Sequence, residues 1–185
     1  SYRPEVSLKQ DTEYEDLILR VEGRADGIFT EEETVCIDEI KGVYKKLEHL
    51  ESPVEVHRAQ AMCYAWIYML QNDLEKIDVQ MTYAHLDTEE IRRFRESFSR
   101  EELEAWYQKL TGEYHKWVSF RLKWQEKRNA SMKNLEFPFP YRKGQREMVA
   151  GVYHAVSSKK QIFVQAPTGV GKTMSSVFPS VRAIG

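Results

Sequence analysis

Cysteine is scarce. The 185 residues contain two, Cys36 and Cys63, too few for a disulfide scaffold, a four-cysteine zinc site or an iron–sulfur cluster. The expectation is a pair of reduced, buried thiols in a cytoplasmic protein. Long apolar runs are missing too. No stretch reaches the ~18 apolar residues of a membrane span, and no charged start followed by an apolar stretch and a small-residue cleavage site marks a signal peptide. Neither a membrane partner nor an iron–sulfur cofactor is expected. A positive overall charge is also absent, because 27 Lys and Arg stand against 29 Asp and Glu, a formal charge of −2. Nucleic-acid binding held only by overall charge is excluded, while local basic patches stay open. There is no internal repeat and no low-complexity segment.

What remains is a globular composition, 42% hydrophobic and 30% charged. The length suits one domain, or one domain plus a fragment of another. The chain starts with Ser1 and stops at Gly185, just after a motif that normally sits inside a domain, and so reads as a piece of a longer protein.

The first part reads as strand-rich. Val6-Ser7-Leu8 alternates, and Leu17 to Phe29 carries Leu17, Leu19, Val21, Gly23 and Ala25 on one face. Glu31-Glu32-Glu33 makes a turn, and Val35-Cys36-Ile37 resumes the pattern to Val43, giving an antiparallel meander. Ser52-Pro53 is expected to open a helix running to about Leu70, ended by Asn72-Asp73. Ile77 to Leu86 alternates again and predicts another strand. From Asp87-Thr88-Glu89 the pattern predicts helix to about Arg128, with a break near Gly112. Phe137-Pro138-Phe139-Pro140 marks a boundary, which divides the chain into residues 1–134 and 135–185. Beyond it come a helix over 143–157, a short buried-type strand over 161–165, and another helix.

Three polar residues stand out in the meander. Glu39 and Lys41 are two apart on one strand and share a face. Ile40 between them should point the other way, into the core, and Asp38 should point away from the Glu39 side. If the strands pair through the Glu31–Glu33 turn, Asp26 comes close to Glu39. Two converging carboxylates make a hard-oxygen site suited to Mg²⁺ or Mn²⁺, with the Ile40 carbonyl as a third oxygen. Lys41 would stand beside the metal, placed to orient a water or stabilise charge on a phosphate. The same triplet also fits ordinary surface ion pairs. Gln60 and Tyr64, four apart on the following helix, share a face offset from the apolar stripe and can look toward the carboxylates. His57 and Arg58 read as a helix-start residue and a solvated arginine.

The succession Gly23-Arg24-Ala25-Asp26, then Glu39-Ile40-Lys41, then Gln60-x-x-x-Tyr64 resembles the RecB-like branch of the PD-(D/E)xK nucleases, which includes the CRISPR-associated RecB-like exonucleases. The resemblance covers about residues 6–86. It implies a restriction-endonuclease-like fold, Asp26 and Glu39 as metal-binding acids, Lys41 as the catalytic lysine, and Gln60 and Tyr64 as a DNA- and site-orienting pair. The family core usually begins with a helix bearing a further acid or His, and that helix is not evident here.

A second constellation lies in the tail. Ala166-Pro167-Thr168-Gly169-Val170-Gly171-Lys172-Thr173 has the pattern of a phosphate-binding loop. Gly169 and Gly171 would let backbone amides face a phosphate, Lys172 would reach the outer phosphates, and Thr173 would hold Mg²⁺. Gln145 lies upstream, where an adenine-reading glutamine is placed in helicases. Residues 137–185 look like the start of a DinG-type, XPD-like superfamily 2 helicase. That resemblance implies a RecA-like P-loop fragment, ATP as ligand, and ATPase and helicase activity only in a longer protein.

Between the two, Leu103, Trp106, Leu110, Tyr114, Trp117 and Trp124 recur at helical spacing among Lys and Arg. The favoured expectation is that these aromatics pack on the sheet and the charges are solvated. The other reading is base stacking along a single strand. Together these features predict an α/β protein that cleaves DNA phosphodiesters with a metal, acting as an exonuclease on single-stranded or unwound ends and coupled to a helicase. The rival is a PD-(D/E)xK module that grips DNA without cutting it.

Overall fold

The computed structural model describes residues 2–184. The chain divides into two compact units, 1–116 and 117–185. The first is a five-stranded mixed sheet with helices, an α/β arrangement. Its strands run in spatial order β1 (Arg3–Glu13), β2 (Ile18–Glu31), β3 (Thr34–Val43), β4 (Lys76–His85) and β5 (Ile91–Ser99). All neighbours are antiparallel except β3 and β4, which are parallel and joined through helix α1 (Glu55–Asn72). That crossover requires a long connection, which α1 supplies.

The expected meander is present. Glu31 pairs with Thr34, and Glu32 and Glu33 turn between them with φ of 48° and 67°, the backbone of a tight hairpin whose twist matches the strands. The β2–β3 ladder ends at Gly27 opposite Asp38. In that register the next opposed pair would be Asp26 and Glu39. The β1–β2 ladder also skips a step there, passing from Pro4 opposite Gly27 to Val6 opposite Ala25. Ala25 and Ile28 are both core residues although three apart. Strand β2 therefore changes face between them, and Asp26 sits in the change, where its side chain is no longer tied to either alternation.

The core lies between the sheet and α1. Ala61, Ala65 and Ile67 of α1 pack with Ile37, Val79, Met81 and Tyr83, and Leu103 and Tyr107 of helix α2 (Arg100–Lys133) join the same cluster. Helix α1 begins at Glu55, not at Ser52-Pro53, and Val54 is its extended N-cap. The Val54 N–H donates to the buried hydroxyl of Tyr83 at 2.9 Å. A tertiary partner thus satisfies an amide at the helix start that the sequence assigned to Ser52.

Three expectations are corrected. Residues 91–99 form β5, not helix. Phe94 and Phe98 are four apart, which fits both periods, and pairing with β4 decides between them. Helix α2 runs through Gly112 without a break, because a single glycine costs a helix only ~1 kcal/mol. Ile40 is 42% exposed rather than in the core. Its face carries a buried polar cluster instead, in which Asp38 accepts hydrogen bonds from Thr82 at 2.6 Å and Gln80 at 3.1 Å. Asp38 does point away from Glu39, as expected.

In the second unit, helices α3 (Gln145–Ser157) and α4 (Lys172–Ile184) pack together. Residues 161–165 are not a strand, and Phe163 is 94% exposed. An isolated extended segment has no neighbour to take its backbone hydrogen bonds. Among the described residues no helix is long and apolar enough to cross a membrane.

Candidate active site and nucleotide loop

Residues from β2, β3 and α1 meet at the splayed end of the β2–β3 ladder. Asp26 Oδ2 accepts the Ile40 N–H at 2.8 Å. This bond replaces the ladder bond lost where the strands part, and it holds the carboxylate beside Glu39-Ile40. Glu39 is 1% exposed. Its Oε1 accepts from Lys41 Nζ at 2.6 Å, and Lys41 donates in turn to Gln60 Oε1 at 3.2 Å. Gln60 Nε2 donates to the Tyr64 hydroxyl at 3.2 Å. The structure therefore joins Glu39, Lys41, Gln60 and Tyr64 in one hydrogen-bonded chain, with Asp26 alongside.

The chain is incomplete at one end. Glu39 Oε2 is buried and has no hydrogen-bond partner. Burial pushes the Glu39 carboxyl above its ordinary value; the Lys41 hydrogen bond pulls against this, and the nearby charges of Asp26 and Asp38 add to the rise. An unsatisfied carboxylate oxygen in such a place is costly unless a cation completes it. The oxygens of Asp26 and Glu39, with the Ile40 carbonyl, are the hard donors that Mg²⁺ or Mn²⁺ takes. Among the described residues no group of three or more His, Cys, Asp or Glu side chains is arranged to hold an ion. A site here thus rests on two carboxylates and backbone, with water and substrate oxygens for the rest, a composition that suits Mg²⁺.

Sequence reasoning missed three features of the surroundings. Gly23 faces Tyr64: a Cβ there would collide with the hydroxyl and lie 2.8 Å from Cε1. The glycine three residues before Asp26 is the available signal; the sequence places it on a strand face and in the Gly23-Arg24-Ala25-Asp26 succession, and neither assigns it a packing role against Tyr64. His57 does stand in the first turn of α1, as the sequence suggests, but it also has a partner there. Its Nδ1 lies 3.3 Å from the Tyr83 hydroxyl, and burial, with Lys41 nearby, lowers its pKa. Arg58 is not simply solvated either; it forms a two-point ion pair with Glu96 at 2.6 and 2.8 Å. The thiols take no part: burial pushes Cys36 up to about 12 and Cys63 up to about 11, which makes both poor nucleophiles at neutral pH.

Gly23→Val is expected to drive the Tyr64 ring out of place and break its bond to Gln60. Any cleavage activity should fall about tenfold to a hundredfold, in line with misplacement of an orienting group. The measurement is cleavage rate beside a melting curve; a rate unchanged in a folded variant would show that Tyr64 is not needed in this position.

In the second unit Gln145 reaches the loop. It is buried, accepts the Arg142 N–H at 2.7 Å and donates to the Val170 carbonyl at 2.6 Å. Gly169 and Gly171 have φ of 86° and 78°, a conformation that favours glycine, and a Cβ on Gly171 would strike Gln145 Nε2. Lys172 opens α4, and its Nζ donates to the carbonyls of Ala166 at 3.0 Å and Pro167 at 3.3 Å. Thr173 is exposed in the first turn of the helix. A cavity of about 450 Å³ lies beside the loop, lined by Gln145, Met148, Phe163 and Val170 among others.

No family model matches the chain. Over 47 residues, 25% of the chain and 7% of the relative, it is 38% identical to "Probable ATP-dependent helicase MJ0942" of Methanocaldococcus jannaschii. The solved structure "Crystal structure of SSO0001" superposes with a TM-score of 0.40 at 21% identity, covering 51% of this chain and 41% of that one. The chain is thus a mixed α/β protein with a partial sequence similarity, over a quarter of its length, to a protein described as a probable ATP-dependent helicase.

Proposed function

We propose that the first unit is a Mg²⁺- or Mn²⁺-dependent DNA nuclease of the PD-(D/E)xK type, acting on single-stranded or unwound ends. In a longer protein it would serve an ATP-dependent helicase. One observation carries the nuclease reading: a buried Glu39 with one oxygen held by Lys41 and the other unpartnered, next to Asp26. Asp26, Glu39 and the Ile40 carbonyl would hold the ion. When bound, the ion would polarise the scissile phosphate and make a bound water acidic enough to attack it.

The chain's own residues supply the rest. Glu39 and Gln60 both accept from Lys41, so the ammonium is fixed before substrate arrives. A fixed positive charge favours the extra negative charge that builds on a phosphate under attack. Tyr64 restrains the Gln60 amide, so that its carbonyl stays turned to Lys41. For the helicase part, the similarity to the Methanocaldococcus jannaschii protein and the glycine conformations of the loop support ATP as ligand, with Lys172 and Thr173 toward the phosphates and Gln145 toward the base.

A DNA-gripping module without cleavage is the second reading, and what favours it is that among the described residues no third acidic or His side chain joins Asp26 and Glu39. One experiment separates the two. End-labelled single-stranded DNA is incubated with the chain and Mn²⁺, and with Asp26→Asn, which keeps an acceptor for the Ile40 N–H but loses the charge. The nuclease reading expects metal-dependent cutting by the parent and at least a hundredfold less by the variant. DNA retained on the parent without cutting would leave the gripping module.

A further inference from the structure

Helix α2 leaves the core before it ends. Leu103 and Tyr107 in its first turns are buried in the sheet core. Farther along, Trp117 and Trp124 are 50% and 53% exposed, against the expectation that they pack on the sheet, and Phe120 between them is 65% exposed. The Arg121 guanidinium lies over the Trp117 ring at 4.9 Å and that of Arg128 over Trp124 at 5.4 Å. Each arginine follows its tryptophan by four residues, and the pairs are seven apart, so they form two copies of one arrangement on one side of the helix. Residues 117–133 hold five Lys and Arg against one Glu.

We propose that this side of α2 is a binding surface for single-stranded DNA, with Trp117 and Trp124 each stacking on a base and Arg121 and Arg128 meeting the backbone phosphates. In its choice of DNA the inference rests on the nuclease reading. Charge decides against an apolar protein partner: a half-exposed indole with a guanidinium beside it, on a segment rich in Lys and Arg, suits a polyanion whose bases have flat apolar faces. Spacing decides for an unpaired strand. Seven helical residues separate the rings by about 10 Å along the axis, several times the 3.4 Å step of a stacked duplex strand. Two rings so placed can take two bases of an extended strand, whereas a duplex keeps its base faces covered.

The test is titration of the 185-residue chain with oligo(dT) in EDTA, so that no metal-dependent cutting takes place, reading tryptophan emission and affinity. Quenching is expected. Trp117→Ala and Trp124→Ala should each weaken binding about fivefold or more, and the double variant more than twentyfold, while Trp→Phe at both positions retains most of the affinity. Arg121→Gln with Arg128→Gln should flatten the salt dependence. Cleavage of the same oligonucleotide in Mn²⁺ is measured separately, so a dead nuclease site and an absent stacking surface give different results. The inference falls if the double alanine variant, folded by circular dichroism, binds as the parent does. It falls equally if oligo(rU) or duplex binds more tightly than oligo(dT), or if the double variant changes only the oligomeric state in sedimentation.

Discussion

Glu39→Gln is expected to abolish metal-dependent cleavage, by about a thousandfold or more, while leaving the metal-free fold intact. The amide keeps an oxygen for Lys41 but carries no charge, so the hard-donor pair with Asp26 is lost. The same substitution has a second signature in stability. The Glu39 carboxyl is raised in the folded protein, so between the ordinary glutamate value and the folded one the native state holds a proton that the unfolded chain has released. Stability attributable to this group is complete below that window and is lost as pH rises through it. The parent should therefore lose stability with rising pH across this range in EDTA, and Glu39→Gln should lack that component. Added Mn²⁺ should raise the melting temperature of the parent and not of the variant. Denaturation at several pH values, with and without metal, checks both. A variant that still cuts, or that still gains stability from metal, would remove Glu39 from the site.

Lys41→Ala is expected to be the costlier change for the fold at neutral pH. It removes the donor to Glu39 Oε1 when Oε2 already has none, and so strands a carboxylate that is almost wholly buried. Breaking a buried pair in this way costs ~3–5 kcal/mol. The lower end, about 3 kcal/mol, applies here because a quarter of the Lys41 side chain is exposed and water can enter. The cost attaches to the ionised carboxylate alone, so it should fade as pH falls and Glu39 takes up a proton. Urea denaturation at pH 7 and at pH 4 measures the difference. Equal destabilisation at both values would mean that Lys41 acts by packing its stem rather than by its charge.

Much of the site could be read in the chain. The alternation around Glu39 and Lys41 places them on one side of a strand, and the four-residue step from Gln60 to Tyr64 places those two on one side of a helix; the structure links all four. The turn at Glu31–Glu33 was legible from its run of like charges between two alternating segments. Strand β5 was not, because Phe94 and Phe98 satisfy either period and only the free edge of β4 selects the strand. The 161–165 segment shows the opposite failure: its local pattern is strand-like, but a strand without a neighbour leaves its backbone unpaired.

The sequence by itself determined which residues share a face and where the sheet turns, and it singled out the carboxylates, lysine and glycines proposed to carry chemistry, because shared faces and tight turns follow from periods of 2 and 3.6 and from the conformational freedom of glycine. Tertiary structure alone decided that β2 changes face at Asp26, that the β2–β3 ladder stops one pair short of Asp26 and Glu39, and that Glu39 keeps one oxygen unpartnered. It also decided that Tyr83 rather than Ser52 meets the amide at the start of α1, and that Trp117 and Trp124 lie outside the core. Those outcomes depend on which groups from distant segments compete for the same hydrogen bonds and the same buried volume, and no local pattern encodes that competition.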